Sequence, residues 1–280
     1  MTQPLVSFTA SDGQTLYLKR RGRGRPVVFL HGWTSTHADW THTTTALADE
    51  VESFAWDARA HAGHPLQGQA ASVQRMADDL DELIAHFGLQ RPLLVGHSMG
   101  VLTIWEYIKR HGTAVIGGLC LIDQSPKLLT DEDWSFGIYG DFDALRNRWF
   151  IARQREDFAE SVLELAAAGH NPRMRERYAH EPEKFQRVRE HLAALDQPAL
   201  TACWASLTAT DFRPALALID RPTLLVYGAQ SNFYSQATAR HVAAAIHGSR
   251  LEIYAGTDHN PHFWQRDRFV ADLRALLAGC

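Results

Sequence analysis

Gly96-His97-Ser98-Met99-Gly100 places a serine between two glycines, directly after the apolar run Leu93-Leu94-Val95. Beyond it, Leu102, Trp105 and Ile108 take helical spacing, so the chain passes from a buried strand to a helix within this pentapeptide. A turn that tight strains its central residue and needs glycine where backbones close on one another. The chemistry it offers is nucleophilic. G-x-S-x-G at a strand-to-helix junction lifts the serine oxygen clear of the sheet, beside backbone N–H groups. The hydroxyl attacks only when a base within hydrogen-bond reach takes its proton. Histidine suits that task, and the chain has 15, most of which must be structural or exposed. None falls into H-E-x-x-H or a comparable pattern, so neither a metal nor a cofactor is expected.

Positioning such a serine requires a sheet. Strand-like runs recur at Val27–Leu30, Ser53–Trp56, Leu119–Asp123, Thr223–Tyr227 and Arg250–Tyr254, with helical patterns between them. Val73, Met76, Leu80, Leu83, Ile84 and Phe87 share one helical face, with Ser72 as N-cap. Strands alternating with helices imply an α/β architecture, a mainly parallel sheet covered on both faces. Val6–Ala10 and Thr15–Arg20, joined across Ser11-Asp12-Gly13, start it as an antiparallel pair.

Residues 127–220 break this rhythm with helical stretches and a dense set of aromatics. They read as a helical lid inserted into a core formed by residues 1–126 and 221–280. Asp131, Glu132 and Asp133 are expected there as solvated helix-start charges. Trp134, Phe136 and Tyr139 have two readings: they line an apolar substrate pocket, or they pack the lid onto the sheet. Their clustering just after Asp123 predicts the first, a pocket that favours esters with an aromatic or medium-chain acyl group.

The bulk properties exclude several classes. The chain has 280 residues, a hydrophobic fraction of 45% and a formal net charge of -4. Its one basic run, Lys19 to Arg25, contains glycines that mark a strand connection, so nucleic acid is not an expected partner. No apolar stretch approaches the ~20 residues of a membrane span, and no signal peptide is evident. Cys120, Cys203 and Cys280 are far apart and odd in number, which fits a reducing cytoplasm.

Four landmarks make the sequence resemble the α/β-hydrolase superfamily over nearly its whole length. They are Phe29-Leu30-His31-Gly32-Trp33, the serine turn, the helical insertion, and the stretch from Gly256 to Phe269. In the last, the resemblance selects His259 as the base, because the phenylalanine opening the final helix, Phe269, follows ten residues later. His97 is then a packing residue, His262 a neighbour, and His31 shapes its turn. The pattern D-L-R-G-H-G-x-S, frequent in such proteins, is altered here to Asp57-Ala-Arg-Ala-His-Ala-Gly-His64.

The commonest acid position in the superfamily reads Gly228-Ala229-Gln230-Ser231-Asn232, and no Asp or Glu occurs from Arg221 through Arg250. Asp123 is the remaining candidate, since some superfamily members take their acid after the strand that follows the elbow helix. Its carboxylate is expected within about 3.2 Å of His259 Nδ1, holding the tautomer. Asp258 is badly placed to reach the ring next to it. The resemblance also implies an oxyanion hole from the backbone N–H groups of Trp33 and Met99.

These residues imply a serine hydrolase that cleaves a small to medium carboxylic ester through an acyl-enzyme. The alternative is a cofactor-free dioxygenase of a 3-hydroxy-4-quinolone-type heteroaromatic, with His259 as base. A non-catalytic binding module is a third class, against which the Ser98/His259 pair argues. Epoxide hydrolases and haloalkane dehalogenases use aspartate at the elbow, where this chain has Ser98.

Overall fold

Gly13, at φ 88°, closes the opening hairpin between β1 (Val6–Thr9) and β2 (Thr15–Gly22). In the computed structural model, which describes residues 4–68 and 71–280, that hairpin forms one edge of an eight-stranded sheet. The other strands are β3 (Arg25–Leu30), β4 (Val51–Asp57), β5 (Leu93–His97), β6 (Gly118–Ile122), β7 (Thr223–Gly228) and β8 (Arg250–Tyr254). Their order is β1-β2-β4-β3-β5-β6-β7-β8, and every pair from β4 to β8 is parallel.

That order reverses at β3. The chain first steps outward to β4, then crosses back to lay β5 on the opposite side of β3. A crevice opens beyond the strand ends at such a reversal, which is where open α/β sheets hold their ligands. Trp33 follows β3 and Ser98 follows β5, so the topology sets both on its rim.

Alternation along the strands divides the core. Val27, Phe29, Leu93, Val95, Cys120 and Ile122 face α12 (Arg266–Ala278) through Phe269 and Leu273. Val28, Leu30, Leu94, Leu119 and Leu121 face the other way, toward α2 (Val73–His86) and α3 (Met99–His111). The Ser72 side chain accepts from Arg75 N–H and so caps α2. α1 (Thr41–Ala46) and a short α11 (Pro261–Trp264) lie on the α12 side.

Between β6 and β7 the described chain forms helices without a named strand: α4 (Ala144–Glu156), α5 (Phe158–Ala167), α6 (Pro172–His180), α7 (Gln186–Ala193), α8 (Gln197–Ala209) and α9 (Arg213–Leu216). α10 (Gln236–Ala245) follows β7. Polar contacts tie the insertion down: Val73 N–H donates to Ser206 Oγ at 2.8 Å, and Trp33 Nε1 donates to Leu200 O at 3.0 Å. Asp131 to Asp133 start no helix. They form an exposed turn in which Asp131 bridges Trp134 and pairs with Lys127, a local hydrogen-bonded alternative to a helical turn.

Candidate active site

The elbow explains its own glycines. A Cβ on Gly96 would lie 2.8 Å from Val101 N, and one on Gly100 would collide with Leu30 O. Between them Ser98 sits at φ 51°, ψ -115°, a sparsely populated conformation for a residue with a side chain. An ordinary N-cap serine has extended backbone and turns its oxygen onto the helix's first N–H groups. Ser98 makes no such cap bond, so its hydroxyl is free for other work at the N-terminus of α3. Met99 opens that helix, and its N–H has no acceptor one turn back. Trp33 N–H likewise donates to no protein acceptor among the described residues.

His259 comes from the loop between β8 and α11 and is 8% exposed. Its Nδ1 lies 2.9 Å from Asp123 Oδ1, inside the expected separation. Asp123 follows β6 in a left-handed conformation, φ 47°, which swings a fully buried carboxyl away from the strand direction. Gly228 N–H donates to it at 2.8 Å and Ser231 O–H at 2.7 Å. Burial, with the Asp258 charge adding to it, pushes its pKa well above the ordinary value, while these two donors oppose the rise by favouring the carboxylate. A carboxylate accepts all three of these donors, whereas a carboxylic acid would leave its own O–H without an acceptor. Asp258 is occupied elsewhere, accepting from Asn260 N–H at 2.8 Å.

The end of β7 and the loop after it, which lacks a carboxylate, thus contribute the donors that hold one arriving from β6. Ser231 was not singled out in the sequence; the signal was a hydroxyl in the loop where an acid would otherwise stand. Phe233 from the same loop packs edge-on against the His259 ring, centroids 4.6 Å apart. Burial lowers the His259 pKa to about 4, with Asp258 opposing the shift, so the imidazole is neutral at neutral pH.

His97, His262 and His31 have structural contacts instead. His97 Nε2–H donates to His259 O at 2.9 Å, tying the elbow to the loop that carries His259. His262 packs between the rings of His97 and Trp40, at 4.6 and 5.0 Å. His31 donates from Nδ1 to Gly32 O at 2.7 Å and accepts Ala58 N–H on Nε2 at 3.0 Å, joining the Trp33 loop to the next one. In that next loop, Ala60 and Ala62 stand at φ 65° and 57°, where the related pattern carries glycine. Buried Arg59 anchors it through Asp79 at 2.7 Å and Asp12 at 2.9 Å.

Ser98, His259, Trp33 and Met99 line one cavity of about 440 Å³, walled by Leu102, Leu128, Val162, Leu165, Trp204 and Phe233. Trp33 forms part of this wall and packs on Trp204 with ring centroids 5.0 Å apart. Three expected pocket residues do not line it. Trp134 donates from Nε1 to Lys127 O at 2.9 Å and packs against Phe136 and His241, which anchors the start of the insertion on α10. Phe136 stacks on His241 at 4.6 Å. Tyr139 lies behind Phe233, its hydroxyl donating to Leu165 O. Their rings pack against one another, α10 and Phe233, so the wall is built from other residues. Among the described residues no cluster of His, Cys, Asp and Glu could hold a metal ion, and no helix is long and apolar enough to cross a membrane.

A model of the "Alpha/beta hydrolase family" matches residues 27–273. The chain belongs to the alpha/beta hydrolase family. Among relatives of this hydrolase, the non-heme chloroperoxidase CPO-A1 of Kitasatospora aureofaciens is 28% identical over 275 residues, covering 96% of this chain and 98% of the relative. The bifunctional esterase/perhydrolase DCH of Acinetobacter calcoaceticus is 25% identical over 276 residues, with the same coverage, 96% and 98%. An esterase structure from Exiguobacterium antarcticum superposes on the hydrolase with a TM-score of 0.83 at 21% identity, covering 96% of this chain and 97% of that one. A bromoperoxidase structure from Bacillus anthracis gives 0.84 at 22%, covering 98% and 100%.

Proposed function

We propose that this hydrolase cleaves small to medium carboxylic esters through an acyl-enzyme on Ser98. The observation that carries the reading is the 2.9 Å bond from buried Asp123 to His259 Nδ1, beside a strained serine with no cap bond. With Nδ1–H donated to the carboxylate, Nε2 is the basic nitrogen. It takes the proton as Ser98 Oγ bonds to the ester carbon. The carbonyl oxygen becomes an oxyanion, met by the N–H groups of Met99 and Trp33 and by the positive end of α3. As the intermediate collapses, His259 gives its proton to the departing alkoxide, and the alcohol leaves. Water then repeats the sequence on the acyl-serine, and the acid departs.

The relative named as an esterase/perhydrolase supports a second acceptor. Hydrogen peroxide in place of water would attack the same acyl-serine and release a peracid, with Ser98 again the leaving group.

The test is a panel of p-nitrophenyl esters from acetyl to dodecanoyl, run on the wild type and Ser98→Ala, beside oxygen uptake with a 3-hydroxy-4-quinolone. Ser98→Ala is expected to lower kcat by several orders of magnitude with unchanged circular dichroism. Hydrolysis retained within tenfold, or oxygen consumption that survives the substitution, would replace the acyl-enzyme reading by the dioxygenase.

A further inference from the structure

Gln124 stands two residues beyond the end of β6, next to Asp123, and is 3% exposed. The register pairs His97 with Ile122, so Gln124 lies just past the point where Ser98 leaves the neighbouring strand. It lines the same cavity as Ser98 and His259. Beside its main-chain N–H, a glutamine buried at that place has three polar groups to satisfy: its main-chain carbonyl, its side-chain oxygen and its amide nitrogen.

Two of them are satisfied by protein. The Tyr227 hydroxyl donates to Gln124 main-chain O at 2.5 Å. The side-chain oxygen accepts Ser125 N–H at 2.8 Å and the Tyr234 hydroxyl. A backbone N–H can only donate, so the atom facing Ser125 is Oε1 and the orientation of the amide is fixed. Burial pushes the pKa of both tyrosines up, which keeps both hydroxyls protonated. Nε2 is left over. It donates to no protein acceptor among the described residues, in a cavity whose apolar wall includes Leu128, Ile138, Leu165 and Phe233.

We infer that Gln124 is a substrate-binding residue whose Nε2–H group donates to a second oxygen of the substrate, so that the preferred ester carries an ether, carbonyl or hydroxyl oxygen besides the one cleaved. This rests on the ester-hydrolase reading. Tyr234 is its positioning residue: the hydroxyl locks the amide so that the donor faces the cavity. A donor held this way favours an oxygen-bearing substrate over its hydrocarbon isostere, because the isostere leaves the buried N–H unpaired.

The experiment measures kcat/KM on two isosteric pairs. One is p-nitrophenyl 3-methoxypropanoate against p-nitrophenyl pentanoate; the other is 2-methoxyethyl acetate against butyl acetate. The pairs place the extra oxygen on the acyl and the alcohol side respectively. The expected result is a preference of about tenfold for the oxygen-bearing member of one pair. Gln124→Met should bring that ratio to near one. Tyr234→Phe, which removes a single oxygen and keeps the ring, should reduce the ratio while Gln124 is still present. Turnover of both pairs with ratios within twofold of one would overturn this inference and leave the hydrolase reading standing. A preference unchanged in both variants would overturn it as well. Absence of turnover on every ester would defeat the hydrolase reading, and this inference with it.

Discussion

Asp123 carries more constraints than any other residue of the site. It is fully buried, left-handed in backbone and held by donors from β7, the loop after it, and the His259 ring. Asp123→Asn keeps the volume but offers an N–H where Nδ1–H needs an acceptor, which favours the other tautomer. A loss of about 10⁴ in kcat is expected, as in a serine-protease triad. Asp258→Asn should cost less than tenfold, since Asp258 serves Asn260. Comparable losses in the two variants would reassign the acid. His259 also fixes the acid limb of the pH profile. Its neutral form is the working base, and burial lowers its pKa to about 4. kcat/KM should therefore hold through pH 6.5, the ordinary histidine value, and fall only as pH drops toward 4. A limb centred above 6.5 would contradict that sign.

At the scale of elements, the insertion divides into a base and a roof. The base is the 131–136 turn, clamped on α10 by Trp134, Phe136 and His241, with Arg213 over the Trp134 ring at 5.1 Å. The roof is α5 and α8, which bring Val162, Leu165, Trp204 and Leu207 to the cavity. Trp134→Ala leaves a void at the base and leaves Lys127 O with the Ser125 hydroxyl as its remaining donor. A destabilisation of about 3 kcal/mol is expected, read as a lower thermal midpoint. The ranking of esters by chain length should match the wild type. An altered ranking with unchanged stability would return Trp134 to the pocket wall.

For the whole molecule, the buried histidines set the acid tolerance. Burial lowers the pKa of His31, His61, His97, His259 and His262, with His61 reaching about 3 and His259 about 4. Each is neutral when folded, whereas in the unfolded chain it takes a proton near the ordinary value of 6.5. Between those two values the unfolded state binds more protons. The stability each contributes is therefore whole above pH 6.5 and is lost as pH falls from there toward the folded pKa. From pH 7.5 to 5.5 His61 and His259 each remove about 1.3 kcal/mol. Urea unfolding at the two pH values should show a drop several times that of one group. Equal stability at both would mean these rings take up protons in the fold as readily as in the unfolded chain.

The alternation of strands and helices, the serine between glycines and the absence of a carboxylate after β7 were legible in the residues alone. Each is a local property: apolar period, turn chemistry and composition are written in consecutive residues. The sequence also confined the acid to few places, because a strand end is the only part of a strand that faces the crevice. Tertiary structure decided the rest. Trp134, Phe136 and Tyr139 looked like pocket residues because aromatic composition records how much apolar surface must be buried, not against what. Only packing shows that His241 and Phe233 cover them, and that the cavity is walled from α5 and α8 instead. Ser231 and Gln124 were invisible for a related reason. A serine or glutamine acquires its role from the partners that fix its hydrogens, and those partners, Asp123 for one and Tyr234 for the other, stand more than a hundred residues away in the chain.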